Sequence, residues 1–196
     1  MLALYITHPE VMIDPLVPVP EWGLSDVGRQ RAALAASMPW AARLARIFTS
    51  VETKAAETAD ILAKAAGIRP ETLEGSHEND RSATGFLPPA AFETAADWFF
   101  AHPQESYHGW ERAIDAQARI VAAIDKALAG HDPARPVAFV GHGGVGTLLK
   151  CHLARTGIDR AHDQKGKGGN LFVFDLVQRR LACDWTAFET WKGLGS

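Results

Sequence analysis

Two histidines stand at places where a chain of this pattern does chemistry. His8 follows the apolar run Leu2-Ala3-Leu4-Tyr5-Ile6, which stops at Thr7-His8-Pro9-Glu10. An apolar run of that length predicts a buried strand. Pro9 supplies no backbone N–H and pushes His8 towards an extended conformation. His142 has the same setting, because Val137-Ala138-Phe139-Val140 leads into Gly141-His142-Gly143-Gly144, a glycine-rich turn before a helix. Open α/β sheets bind ligands beyond the carboxyl ends of their strands. Two strand-end histidines therefore predict one shared site, although they lie far apart in the chain. A third stretch, 74–89, has no periodicity and is dense in groups that bind or exchange protons, among them Glu74, His77, Glu78, Asp80 and Arg81. Function collects on loops of this kind.

The rest of the chain supplies the elements that must hold these residues. The stretch 11–22, with Pro15, Pro18 and Pro20, predicts a loop across the carboxyl edge of the sheet. Ser25 or Asp26 caps an expected helix over 26–38, stopped by Pro39. A strand is expected over 44–49, then an alanine-rich helix over 51–66 closed by Gly67. A weak third strand follows over 68–73. Helices are expected over 90–101 and 109–129, the second with Trp110, Ile114, Ala118 (or Gln117), Val121 and Ile124 at helical spacing. After a break at 130–136 come a strand over 137–140 and a helix over 145–155. A glycine-rich loop, 163–170, leads to strands over 171–175 and 181–185 with a turn at 178–180. Strands alternating with helices predict a three-layer α/β/α sandwich around a mainly parallel sheet. At 196 residues this is expected to be one domain spanning 1–196.

Composition narrows the classes. The chain is 47% hydrophobic and 22% charged, ordinary for a globular protein. A net charge of -3 gives no support for nucleic-acid binding. No apolar run approaches the roughly 18 residues of a membrane span, and no signal peptide is read at the start. The two cysteines, Cys151 and Cys183, have no CxxC spacing, so a reduced, cytoplasmic setting is expected. The other histidines show no HExxH or similar spacing, so no metal site is expected. Gly141 to Gly146 fits GxGxxG after a strand, but the acids about 20 residues on, Asp159 and Asp163, precede a glycine-rich loop rather than ending a strand. A dinucleotide site is therefore not favoured.

Four motifs together resemble the histidine phosphatase superfamily, of phosphoglycerate mutase-like fold. Thr7-His8-Pro9-Glu10 stands where that family has Arg-His-Gly-Glu. Leu24-Ser25-Asp26-Val27-Gly28-Arg29-Gln30-Arg31-Ala32 is similar to its Leu-Thr-x-x-Gly-x-x-Gln-Ala helix start. Thr49-Ser50-Val51-Glu52-Thr53-Lys54-Ala55-Ala56-Glu57-Thr58-Ala59 is similar to Ser-Ser-x-x-x-Arg-Ala-x-x-Thr-Ala. Gly141-His142-Gly143-Gly144 matches a strand followed by Ser-His-Gly-Gly. The motifs occur in family order over residues 1 to about 150. Two departures stand out: the phosphate-clamping arginines are replaced by Thr7 and Lys54, and neither offers a planar bidentate fork.

The resemblance implies a phosphatase-like hydrolase acting on a phosphomonoester without cofactor or metal. His8 would form a phosphohistidine, Glu78 (with Glu74 second) would act as the acid, and His142 would stabilise charge on the phosphoryl oxygens. Thr7, Lys54, Arg81 and Gly143 would line the substrate, with Arg81 replacing part of the missing guanidinium charge. Each has a plainer reading: Lys54 as a solvated helix residue, Arg81 as an ion-pair partner of Asp80 or Glu78, Glu78 as a solvent-facing loop residue. The loop 163–170 is either a turn or a source of Lys165 or Lys167 for a ligand. The expected partner is a small phosphorylated molecule or phosphopeptide, with a second copy of the chain as the one assembly allowed for. Loss of both arginines also motivates a non-catalytic binding or regulatory protein that keeps the fold and the histidines.

Overall fold

The computed structural model describes residues 2–193. Its centre is a six-stranded sheet of order β3-β2-β4-β1-β5-β6. The strands are β1 (Leu2–Thr7), β2 (Arg46–Thr49), β3 (Glu71–Thr72), β4 (Val137–Gly141), β5 (Asn170–Asp175) and β6 (Arg180–Ala187). β1 to β4 run parallel, and β5 and β6 return antiparallel. The helices are α1 (Asp26–Ala36), α2 (Thr53–Ala66), α3 (Pro89–Ala101), α4 (Ala113–Leu128) and α5 (Gly143–Ala154).

The period-2 pleat of the central strands sorts the core into two layers. In β1, Leu4 and Ile6 face α1 and α2, together with Ile47, Val140 and Val173. Ala3 and Tyr5 face the other side, where α3, α4 and α5 pack with Phe139, Phe172 and Phe174. Ser25 caps α1 by accepting from Gly28 N at 3.0 Å, and α2 ends at Gly67 with φ +67°.

Several expected elements differ in their bounds. The third strand shrinks to Glu71–Thr72, an edge pairing with Phe48 and Thr49, because Pro70 cannot donate to a ladder. The helix expected from 109 begins at Ala113, since His108 (φ 46°) and Gly109 (φ 91°) form a turn. Its buried face is therefore Ala113, Ala116, Ile120, Ala123 and Ile124, while Ile114 is exposed. α5 starts two residues earlier than expected, directly after His142. Among the described residues no helix is long and apolar enough to cross a membrane.

Candidate active site

β1 and β4 are parallel neighbours in the register Thr7↔Gly141, so His8 and His142 leave the sheet side by side at its carboxyl edge. Their ring centroids lie 5.3 Å apart at 66°. The backbone of His8 is fixed on both sides, by its own N–H to Gly141 O and by Gly169 N–H to its carbonyl, each 3.0 Å. His8 Nδ1 lies 2.9 Å from Pro9 O. A carbonyl only accepts, so Nδ1 carries the hydrogen and Nε2 keeps a bare lone pair. Burial, with the neighbouring His142 second, pushes the His8 imidazole down to about 3. His8 is thus a neutral imidazole with one nitrogen available.

Gly168 makes this setting possible. It holds φ +74°, and a Cβ there would stand 2.2 Å from His8 O. Arg31 on α1 props the turn through Gly168 O (2.9 Å) and Gly169 O (3.1 Å). Gly168→Ala is expected to cost at least about 2 kcal/mol, from the strained φ and the clash together. Urea unfolding checks this, and a change below about 0.5 kcal/mol, the size of an ordinary surface substitution, contradicts it.

His142 is fully buried. Its Nε2 lies 2.8 Å from Ser50 Oγ and 3.4 Å from Glu52 Oε1, and its Nδ1 has no partner among the described residues. Burial lowers its pKa, against the opposing charges of Glu52 and Glu78. The Tyr5 hydroxyl donates to His142 O (3.2 Å) and accepts from His142 N (3.1 Å). Gly141 and Gly146 make room for that ring: a Cβ on either would lie 2.4 Å from Tyr5. The glycine spacing that fits a dinucleotide fingerprint thus has a packing cause here.

Two carboxylates enter the site. Glu78 accepts from Gly144 N (3.0 Å) and Val145 N (2.9 Å), the first amides of α5, where the helix dipole favours negative charge. Burial acts to raise its pKa, but His142, Arg81 and the Val145 amide hold it below the usual carboxylate range. Glu74 instead lies exposed, beside Arg46 and Lys126. The second carboxylate, Glu52, has no role in the sequence reading. Its Oε1 accepts from Glu78 N (2.8 Å), and its Oε2 pairs with Lys54 Nζ (2.5 Å). Burial opposes its ionisation, but His142 and Lys54 outweigh it and hold the carboxyl at about 2. His142 is itself kept low by burial, so Lys54 is the standing cation of the pair.

The remaining expected site residues fall unevenly. Lys54 is buried, and besides Glu52 it donates to Val19 O (2.8 Å), so it is an internal counter-ion rather than a solvated helix residue. Thr7 is buried and donates to Gln164 Oε1 (2.7 Å), which also accepts from Asn170 Nδ2 (2.9 Å). Gln164 Nε2 is left near the start of α5, where a Cβ on Gly143 would meet it at 2.5 Å. Nothing in the sequence signals Gln164. Of the two lysines of that loop, Lys167 pairs with Glu10 at 2.8 Å. Arg81 has no ion-pair partner among the described residues. Its guanidinium lies 4.8 Å over Phe92 and, with His8, lines a cavity of about 500 Å³. Glu52 and Glu78 thus balance Lys54 and Arg81, so this anion site has little net positive charge. Among the described residues no three His, Cys, Asp or Glu side chains are grouped to hold a metal ion.

Comparison with known proteins bears on the family and the fold. The model of the histidine phosphatase superfamily (branch 1) matches residues 17–186, a span that includes Lys54, Glu78 and His142 and begins after His8. No curated protein matches the chain. Among solved structures, Bacillus stearothermophilus YhfR is 21% identical with TM-score 0.79, covering 95% of this chain and 98% of that one. A mycobacterial glucosyl-3-phosphoglycerate phosphatase with inorganic phosphate is 20% identical with TM-score 0.78, covering 97% of this chain and 99% of that one. A protein described as mycobacterial hydrolase 1 is 21% identical with TM-score 0.77, covering 93% and 96%. The sandwich, the paired histidines and the extent of the family match lead to one statement: this chain belongs to the histidine phosphatase superfamily.

Proposed function

We propose that this protein hydrolyses phosphomonoesters of small molecules through a phosphohistidine on His8. One observation carries the reading: His8 presents a neutral ring with Nδ1 pinned to Pro9 O and Nε2 unprotonated, 5.3 Å from the ring of His142. In the first step His8 Nε2 bonds to phosphorus and the bond to the leaving oxygen breaks. Glu78 gives that oxygen its proton. Its carboxyl starts ionised; the phosphoryl dianion that binds beside it raises its affinity for a proton, as like charges do, so it takes one proton from solvent as the substrate binds and passes that proton to the leaving oxygen. In the second step Glu78 takes a proton from water, the water oxygen bonds to phosphorus, and His8 is released with inorganic phosphate. Arg81 and the unpartnered Nδ1 of His142 are the groups left to meet the phosphoryl oxygens. With Lys54 engaged by Glu52, turnover is expected to be slow.

The test is rapid acid or base quenching of the protein with a labelled aryl phosphate. A base-stable, acid-labile phosphoryl group on His8 supports the route; turnover with no such adduct on His8 removes it. A second reading, a binding protein without turnover, draws on the closed Lys54–Glu52 pair and on the absence of charge at Thr7. Saturable phosphate binding with no hydrolysis above that of a His8 variant would favour it.

A further inference from the structure

The cavity beside His8 has a composition that bears on what the substrate carries. Its walls come from the loop 11–22 and from 81–93, and include Val11, Ile13, Trp22, Phe86, Leu87 and Phe92. No Ser, Thr, Asn, Gln, Tyr or Asp lines it among the described residues. Most of its polar groups are already paired. Glu10 pairs with Lys167, and Glu93 pairs with Arg160. Trp22 Nε1 donates to Asp14 O (2.9 Å) and Val17 O (3.0 Å). A polyol brought here would lose water and find few hydrogen-bond partners that are not already paired, which is a ground for rejection. An apolar body would lose nothing.

The loop 11–22 beside these walls is apolar as well. Met12, Ile13 and Leu16 on it are 65%, 57% and 94% exposed, and Ile13 lines the cavity. Trp22 meets Phe86 edge-on at 5.6 Å and joins that loop to 81–93. Arg81 shares the cavity with His8 and has no direct ion-pair partner among the described residues, although its charge acts on the nearby Glu78. A ligand that is anionic at one end and apolar over the rest fits this division.

We infer that the substrate is a phosphomonoester whose alcohol part is a large apolar or aromatic group, seated between Ile13, Trp22, Phe86 and Phe92 while its phosphoryl end meets His8. This rests on the phosphatase reading above. The test compares kcat/KM for 1-naphthyl phosphate and glycerol 2-phosphate, with calorimetric binding of unhydrolysable 1-naphthylphosphonate. Wild type is expected to favour the naphthyl ester by at least about 30-fold, as burial of a two-ring group in an apolar pocket requires. Phe86→Ser is expected to narrow that ratio by about tenfold, mainly through KM. Ile13→Ser, at an exposed position that leaves the core intact, is expected to narrow it about threefold and to weaken the phosphonate in step.

Comparable rates on both esters overturn the inference and leave the phosphatase reading standing. Tight phosphonate binding, weakened by Ile13→Ser, with neither ester hydrolysed, overturns the phosphatase reading and supports the cavity assignment. No phosphonate binding in a chain that self-associates through Ile13 and Leu16 makes that loop an interface and overturns the inference.

Discussion

His8→Asn is expected to lower aryl-phosphate turnover by about 10⁴-fold or more, because removal of a nucleophile leaves only the surrounding charges to act. The variant should fold. The N–H and C=O of His8 make the contacts to Gly141 and Gly169, and the side chain holds only Pro9 O. Steady-state rates beside a urea curve check both halves. A residual rate within tenfold of wild type would take His8 out of the reaction. The same site sets the pH profile. His8 stays neutral down to about 3, so kcat/KM, corrected for ionisation of the substrate, should show no break at the ordinary histidine value of 6.5. A free-enzyme break there would place a differently poised histidine at the nucleophile.

The second large effect concerns stability. Glu52→Ala is expected to cost about 3–5 kcal/mol, because Lys54 would remain charged, buried and unpaired. Replacing both residues, as Glu52→Leu with Lys54→Met, should recover most of that loss, since a buried pair exchanged for apolar groups is often neutral. Urea midpoints of the two variants decide. If the double variant is no better than Glu52→Ala, the loss does not come from a stranded charge. The pH dependence has a definite sign. The Glu52 carboxyl is held at about 2 against an ordinary 4.5, so its contribution is complete above 4.5 and is lost as pH falls towards 2. His8 adds to this at higher pH. Its neutral form is the folded one, so the unfolded chain takes up the extra proton between 6.5 and about 3. Stability should therefore fall steadily from neutral pH into acid, and Glu52→Gln should flatten only the lower part of that fall.

The residues legible in the sequence are those whose position follows from one element. His8 and His142 were readable because each ends an apolar strand and meets a glycine or proline signal. α2 was readable from its alanine run and Gly67. Glu78 came from its place on an irregular loop within a family pattern. What escaped was pairing between elements. Lys54 suggested a cation for a ligand, but its partner is two residues away, where helical spacing places no contact. Glu52 reaches it because it lies just before α2 in extended backbone, φ −72° and ψ 137°. Gln164 sits in a glycine-rich loop that sequence cannot direct, and bonds from Thr7 and Asn170 hold it at the site. Of the positions at helical spacing, Trp110, Val121 and Ile124 do pack in the core while Ile114 is exposed, for a local reason: a periodicity begun at 109 takes in a turn that the positive φ of His108 and Gly109 forbids to a helix.

The placement of β1 between β4 and β5 has a kinetic consequence. Tyr5 and His142, bonded through the tyrosine hydroxyl, are 137 residues apart in the chain. Both neighbours of β1 are made only after most of the chain has been synthesised. Such distant closures slow folding, because the entropy of a long loop is lost before any contact rewards it. β1, which precedes the other strands of the sheet in the chain, is thus among the last to find its partners. During refolding, recovery of turnover should report the final pairing of the sheet and trail the appearance of helix.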